Sequence, residues 1–233
     1  MNGPARMPVK TPARPNIAAA PAALPLPDAG RLKSQSVDVW QQAVFLNIPY
    51  DQKFQPLYLA YIVGLVQLGL VPRLTIQIPG GARRLDKILE EIVRCRYSIH
   101  DLSRVELDRN PPFVTPRFNM PFELGLAVTW QKLHPRQHSL FVFESVAHRI
   151  EKSLNDLNGT DPHIHDGQVE GVLRELNNAF ERPGNQPAVP EMRKAYRRVL
   201  RQSKKVLQDA GAKSLFEARA FNSLCYIARP EFH

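Results

Sequence analysis

A chain of 233 residues with 43% hydrophobic and 23% charged residues reads as one substantial soluble globular domain with extensions. Its two cysteines, Cys95 and Cys225, lie far apart and form no metal-type pair, so a disulfide framework is excluded and buried thiols of a reducing compartment are expected. The net charge of +9 sits wholly in the flanks: +3 over residues 1–38 (5 basic, 2 acidic), zero over 39–182 (16 of each) and +6 over 183–233 (10 basic, 4 acidic). The basic balance therefore describes the extensions and says nothing of the chemistry of the centre.

The chain opens with proline-punctuated sequence ("PNIAAAPAALPLPDAG"), which blocks helix and sheet ladders alike; residues 1–38 read as a disordered tail without the apolar core of a secretory signal. "AVFLNIPY" has the short apolar run of a buried parallel strand. A helix over Gln55 to Leu70 follows, apolar nearly all round. Its run from Leu57 to Val71 carries Gln67, stops at Pro72 and is too short to span hydrocarbon, so a buried helix and a cytoplasmic protein without a membrane partner are expected. "RLTIQIP" alternates as a second strand and ends at the Pro79-Gly80-Gly81 turn. Leu85, Ile88, Leu89 and Ile92 have helical spacing. "SIHDLS" is a brief third strand, the helix holding Glu123 comes after the proline-rich loop "NPPFVTPRF", and "SLFVFES" is a fourth strand.

A further helix lies between Pro162 and Glu181. Then "EMRKAYRRVLRQSKKVLQDAG" places Met192, Tyr196, Val199, Ser203 and Val206 along one face with cations on the others, and a last helix follows Gly211. Alternating strands and helices give an α/β domain over 39–182 with a parallel sheet of four or five strands, of which order 2-1-3-4 is the simplest, and a basic helical extension over 183–233.

In such a sheet ligands bind beyond the carboxyl ends of the strands where the order reverses. That crevice gathers Asn47, Pro49, Tyr50 and Asp51 after the first strand, Asp101, Ser103 and Arg104 after the third, and Asn119 and Glu123 opening the next helix. The set suits a sugar, a phosphate and a flat base. Each residue also has a plain reading: Asp51 as a helix cap, Asp101 and Ser103 as turn residues, Asn119 as an N-cap, and Glu123 as a first-turn acid on the helix dipole. On the residues alone Glu123 remains open between a helix-start device and a working acid.

"CRYSIHDLSRVELDRNPPFVTPRFNMPFELGLAV", most specifically "FNMPFELG", resembles the core of TIR-like domains and of the related nucleoside 2-deoxyribosyltransferase-like group, over roughly residues 43–145. The resemblance implies a flavodoxin-like three-layer sandwich that binds a nucleotide such as NAD as substrate, with no separate cofactor. It implies cleavage of an N-glycosidic bond with Glu123 as the catalytic carboxylate, an activity that often needs self-association and in many bacterial proteins serves antiviral defence. Only four strands are clear, and the loop "NIPYDQKF" differs from that of typical TIR domains. Cleavage passes through an oxocarbenium-like state that a carboxylate stabilises or traps. Phe118, Phe122 and Tyr50 would supply a dry stacking wall, Asp101 a partner for a ribose hydroxyl, and Arg104 a partner for phosphate.

Other expectations compete. The same fold without catalysis would be a nucleotide-binding or self-association module, and the basic C-terminal helix admits nucleic acid, although a solvated face is the favoured reading because no aromatics interleave its cations. Asp161, His163, His165 and Asp166 lack a second ligand set, so no metal site is expected. "IPGGARR" lacks the Walker lysine-serine pair; a phosphate contact by Arg83 or Arg84 is the lesser reading beside a turn.

Overall fold

The computed structural model describes residues 40–77, 83–104, 107–108, 115–116, 118–157, 159–181 and 186–230. The tail 1–38, the Pro79-Gly80-Gly81 turn and most of "NPPFVTPRF" lie outside them. Strands β1 (Ala43–Asn47), β2 (Val71–Arg73), β3 (Tyr97–Asp101), β6 (Ser139–Glu144) and β7 (His163–Ile164) form one all-parallel sheet in the order β2-β1-β3-β6-β7, while β4 (Leu107–Asp108) and β5 (Thr115–Pro116) pair as a small antiparallel ladder. The helices are α1 (Gln55–Gln67), α2 (Arg84–Arg94), α3 (Asn119–Leu133), α4 (Arg149–Ser153), α5 (Val169–Ala179), α6 (Val189–Asp209) and α7 (Ala218–Ile227). This is the expected α/β sandwich with reversal between β1 and β3, and none of its described helices is long and apolar enough to cross a membrane.

Every residue of β1 is buried, because the central strand is covered on both sides. Val44 and Leu46 join Ile99 and Phe143 under α1, whereas Ala43 and Phe45 pack with Ile88, Ile92 and Ala127 from α2 and α3. The period of two thus divides the core into two layers. The all-round apolar character of α1 has a direct cause: one side meets the sheet and the other meets α5, α6 and α7. Met192, Tyr196 and Val199 of α6 and Phe221 and Leu224 of α7 belong to the same hydrophobic cluster as β1 and α1. The buried face expected for α6 is the observed one.

Three local expectations change. The second strand is Val71–Arg73, not Arg73 to Pro79, and Thr75–Gln77 is a short 3-10 turn. The Gln77 side-chain oxygen accepts from the Leu74 N–H at 3.0 Å and so ends the ladder, and Pro72 is tolerated because β2 is an edge strand. Asn119 is the first residue of α3 rather than its cap; Phe118 holds the cap position without a side-chain bond. On α2, Leu85 and Leu89 stay exposed while Ile88, Glu91 and Ile92 are buried. The fifth strand, β7, has only two residues and no periodic signature.

The turn after β7 is tightly specified. Asp166 and Gly167 both take positive φ (55° and 66°), and the Gln168 N–H closes on the His165 carbonyl at 2.9 Å. A Cβ on Gly171 would lie 2.1 Å from that same carbonyl oxygen. Gly171→Ala is therefore expected to lower stability by about 1–3 kcal/mol, seen as a lower urea midpoint. Gly125→Ala, on α3 with open space around it, should raise stability by about 0.5–1 kcal/mol.

Candidate active site at the carboxyl edge of the sheet

At the tip of β3, Asp101 has no solvent exposure. One carboxylate oxygen accepts from the Ser103 N–H at 2.8 Å; the other accepts from the Tyr61 hydroxyl at 2.7 Å and faces His165 Nε2 at 3.2 Å. His165 Nδ1 accepts from the Gly167 N–H, so Nε2 carries the ring proton and is shared between Asp101 and the Ser103 hydroxyl, 2.9 Å away. Aspartate and serine on the same ring nitrogen cannot work as a relay, which needs them on opposite nitrogens. Asp101, Ser103, Tyr61 and His165 together form a brace tying β3 to α1 and to the turn after β7. Burial and the neighbouring Asp101 push the Tyr61 phenol up, keeping it a donor.

On the opposite face of the sheet a second buried chain is neutral throughout. The Asn47 amide donates to His100 Nδ1 (3.0 Å), His100 Nε2 to Ser98 Oγ (3.1 Å), Ser98 Oγ to His138 Nε2 (2.8 Å), and His138 Nδ1 to the Cys95 carbonyl (2.9 Å). Only this order of donors satisfies every member once the asparagine is fixed as the first donor and the carbonyl as the last acceptor. Asn47 is thus placed inside the sheet layer rather than at the crevice mouth.

In the α2–α3 layer Glu123 meets Arg84, the first residue of α2; it stands in the second turn of α3, whose first turn holds no acid, so the plain reading of a first-turn acid on the helix dipole is not the observed one. Glu123 is 4% exposed, and burial raises its carboxyl pKa against the opposing pull of Arg84. The Arg84 guanidinium, 63% exposed, lies 3.6 Å from it, an ion contact longer than a hydrogen bond. Tyr50 lies in the loop after β1. Burial pushes its phenol up, a hydrogen bond to Thr75 and the charge of Arg84 oppose the rise, and the charge of Glu123 adds to it. Its ring packs edge-on against Tyr58 and Phe216. Phe118 and Phe122, one turn apart on α3, are 66% and 57% exposed.

Of the other expected residues, Asp51 accepts from the Phe54 N–H at 3.0 Å and also lies 3.6 Å from Arg104, so the loops after β1 and β3 are linked across the point of reversal. Ser103 belongs to the brace, Pro49 is buried, and Asn119 is exposed. Glu123 is brought to Arg84, whereas the Tyr50 ring packs on Tyr58 of α1 and Asp101 turns into the α1 layer, away from the α3 layer that holds Glu123. Sequence reasoning missed Tyr61 and the joining role of His165. A tyrosine inside an otherwise apolar helix was the signal, since a buried hydroxyl needs a partner. The histidines of "GTDPHIHD" go separate ways, His163 to Glu175 at 3.3 Å and His165 to Asp101, and Asp166 lies near Arg174. Glu144, ending β6, is buried and held by a two-point contact from Arg149, which also donates to the Leu102 carbonyl at 3.0 Å.

No protein-family model matches the chain, and no curated protein matches it.

The neutral histidine chain makes stability depend on pH. Burial, with His138 as a lesser cause, pushes the His100 pKa down to about 3, and burial lowers that of His138 too. In the unfolded chain imidazole titrates near 6.5. Between about pH 6.5 and 3 the unfolded state binds a proton that folded His100 refuses, so its contribution is complete above 6.5 and is lost as pH falls, by up to about 1.4 kcal/mol per pH unit. Glu123, with its raised pKa, opposes this loss in the carboxylate range. The urea midpoint is expected to fall between pH 7 and 5, and His100→Gln, though less stable at pH 7, should show a shallower slope.

Proposed function

We propose that the protein cleaves the N-glycosidic bond of NAD or a related nucleotide, with Glu123 as the working carboxylate. One observation carries this reading: a nearly buried glutamate of raised pKa sits in the second turn of the helix that follows β3 in a parallel sheet, with Arg84 3.6 Å away and with Phe118 and Phe122 exposed at the start of the same helix. A carboxylate shielded from water exerts an undiluted field on a cation forming beside it. In the proposed step the C1′–N bond breaks, its electron pair leaves with the base, and the ribosyl cation is stabilised or captured by Glu123. Water then supplies the hydroxyl and releases a proton. Phe118 and Phe122 stack on the base, Tyr50 closes the apolar side, and Arg84 meets the substrate phosphate. Arg104 and Asp51 hold the crevice walls through their mutual contact. Asp101, with both oxygens engaged by protein donors, positions β3 in this scheme and does not touch the ribose.

A second reading, a non-catalytic nucleotide-binding or self-association module of the same fold, draws support from Arg84, whose charge compensates Glu123 at 3.6 Å.

The two separate on incubation with NAD, and in parallel with a nucleoside mixture, at high protein concentration, followed by chromatography. Release of nicotinamide or free base by the wild type, reduced about a hundredfold or more in Glu123→Gln, supports the enzyme. No product from either, with folding and assembly equal, supports the binding module. Arg84→Ala should raise KM for a phosphorylated substrate about tenfold or more, as loss of a charge-assisted contact does, while leaving turnover of an unphosphorylated nucleoside within a few fold.

A further inference from the structure

The cations of α6 divide into two sets. Arg193 reaches Glu170 at 3.0 Å, and Arg198 donates to the Ile227 and Arg229 carbonyls at the end of α7. The others, Lys194, Arg197, Arg201, Lys204 and Lys205, are all exposed. Their spacing of three, four, three and one residues puts them on a single stripe of the helix, opposite the buried face of Met192, Ala195, Tyr196, Val199 and Val206. The acids of the helix stand at its ends: Glu191 bonds the Ala188 N–H, and Asp209 is the last residue. None of the five cations makes an ion pair among the described residues. Like charges at this spacing weaken a helix, so the stripe does nothing for α6 itself.

The stripe extends about 16 Å along the helix at 1.5 Å per residue. Duplex nucleic acid carries about one charge per 1.7 Å of its axis, so a rod of five cations over that length meets several phosphates at once. Two other polyanionic surfaces fit less well. An anionic membrane takes a basic helix by burying its apolar face, and here that face is spent in the core against α1 and α7. A single strand needs aromatic platforms for its bases, and the stripe carries none. Backbone contact with a duplex requires only charge.

We propose that the exposed face of α6 binds the phosphate backbone of double-stranded nucleic acid without regard to sequence. The contact is independent of Glu123 and its surroundings, and the stripe holds five of the ten basic residues of 183–233.

The test uses the full chain and a labelled 20-base-pair mixed-sequence DNA duplex, read by fluorescence anisotropy from about 50 to 200 mM salt. Log affinity should fall linearly with log salt with a slope of about −3.5 to −4.5, corresponding to four or five phosphates neutralised. Arg201→Gln should reduce that slope by about one. Changing all five cations to glutamine should weaken binding at least tenfold with circular dichroism unchanged. Because residues 1–38 bring their own +3, the response to these substitutions, rather than binding alone, decides. Absence of binding at the lowest salt, or binding that the fivefold change leaves intact, overturns the proposal. So does equal or tighter association with phosphatidylserine vesicles or with polyglutamate at the same ionic strength.

Discussion

A carboxylate without water must be met by protein donors, and Asp101 is the point where this requirement organises the molecule. Its partners come from three separate parts of the chain: Tyr61 in the middle of α1, the Ser103 N–H of its own turn, and His165 from the turn after β7. Removing any of them leaves a polar group unpaired in the interior, which costs more than the net worth of the bond when it is made. The brace thereby fixes α1 against the sheet and brings the short edge strand β7 into register. It also explains why Gly171 allows no Cβ, since α5 must begin directly against the His165 carbonyl.

The same requirement explains what the sequence made legible. Strands β1 and β6 are apolar runs and β3 a short buried one, α1 is apolar all round, and α2 and α6 follow apolar periodicity, so their existence and the 2-1-3 order followed from pattern and handedness. What stayed hidden was set by single hydrogen bonds. A Gln77 side chain stops β2 early, and a two-residue β7 exists because β6 offers it an edge and His165 anchors its end. The site shows the same division. Glu123, singled out as a carboxylate in an apolar setting, is indeed nearly buried, whereas Asn47 and Asp101 point into opposite layers and bond within the protein, because consecutive strand positions alternate and topology alone does not say which face a side chain takes.

The C-terminal helices illustrate a related limit. Their basic composition marked them as an extension, but composition reports the solvent face. The apolar face of α6 supplies Met192 and Val199 to the cluster that also holds Val44 and Leu46. Helix α1 owes its all-round apolar sequence to that cover: Tyr58 donates to the Leu215 carbonyl at 3.0 Å, and Gly64 lies against Leu176 and Met192.

Ion pairs in the central region fall into two kinds, and the difference bears on where a ligand can act. Arg73 holds the fully buried Glu91 by two bonds of 3.0 and 2.9 Å, and Arg149 grips Glu144 in the same two-point fashion. Such pairs are shielded and geometrically exact in their demands, so separating them would strand a charge in the interior. Arg84 and Glu123 differ: the contact is 3.6 Å, the guanidinium is largely in water, and only the carboxylate is enclosed. Solvent and salt screen a contact of this kind, and its net contribution to folding is small. Under the proposed function, a substrate phosphate draws Arg84 away at little cost to the fold while Glu123 keeps its shelter. The two-point pairs hold the frame, whereas Arg84–Glu123, like Arg104–Asp51 at the same 3.6 Å, is a loose contact.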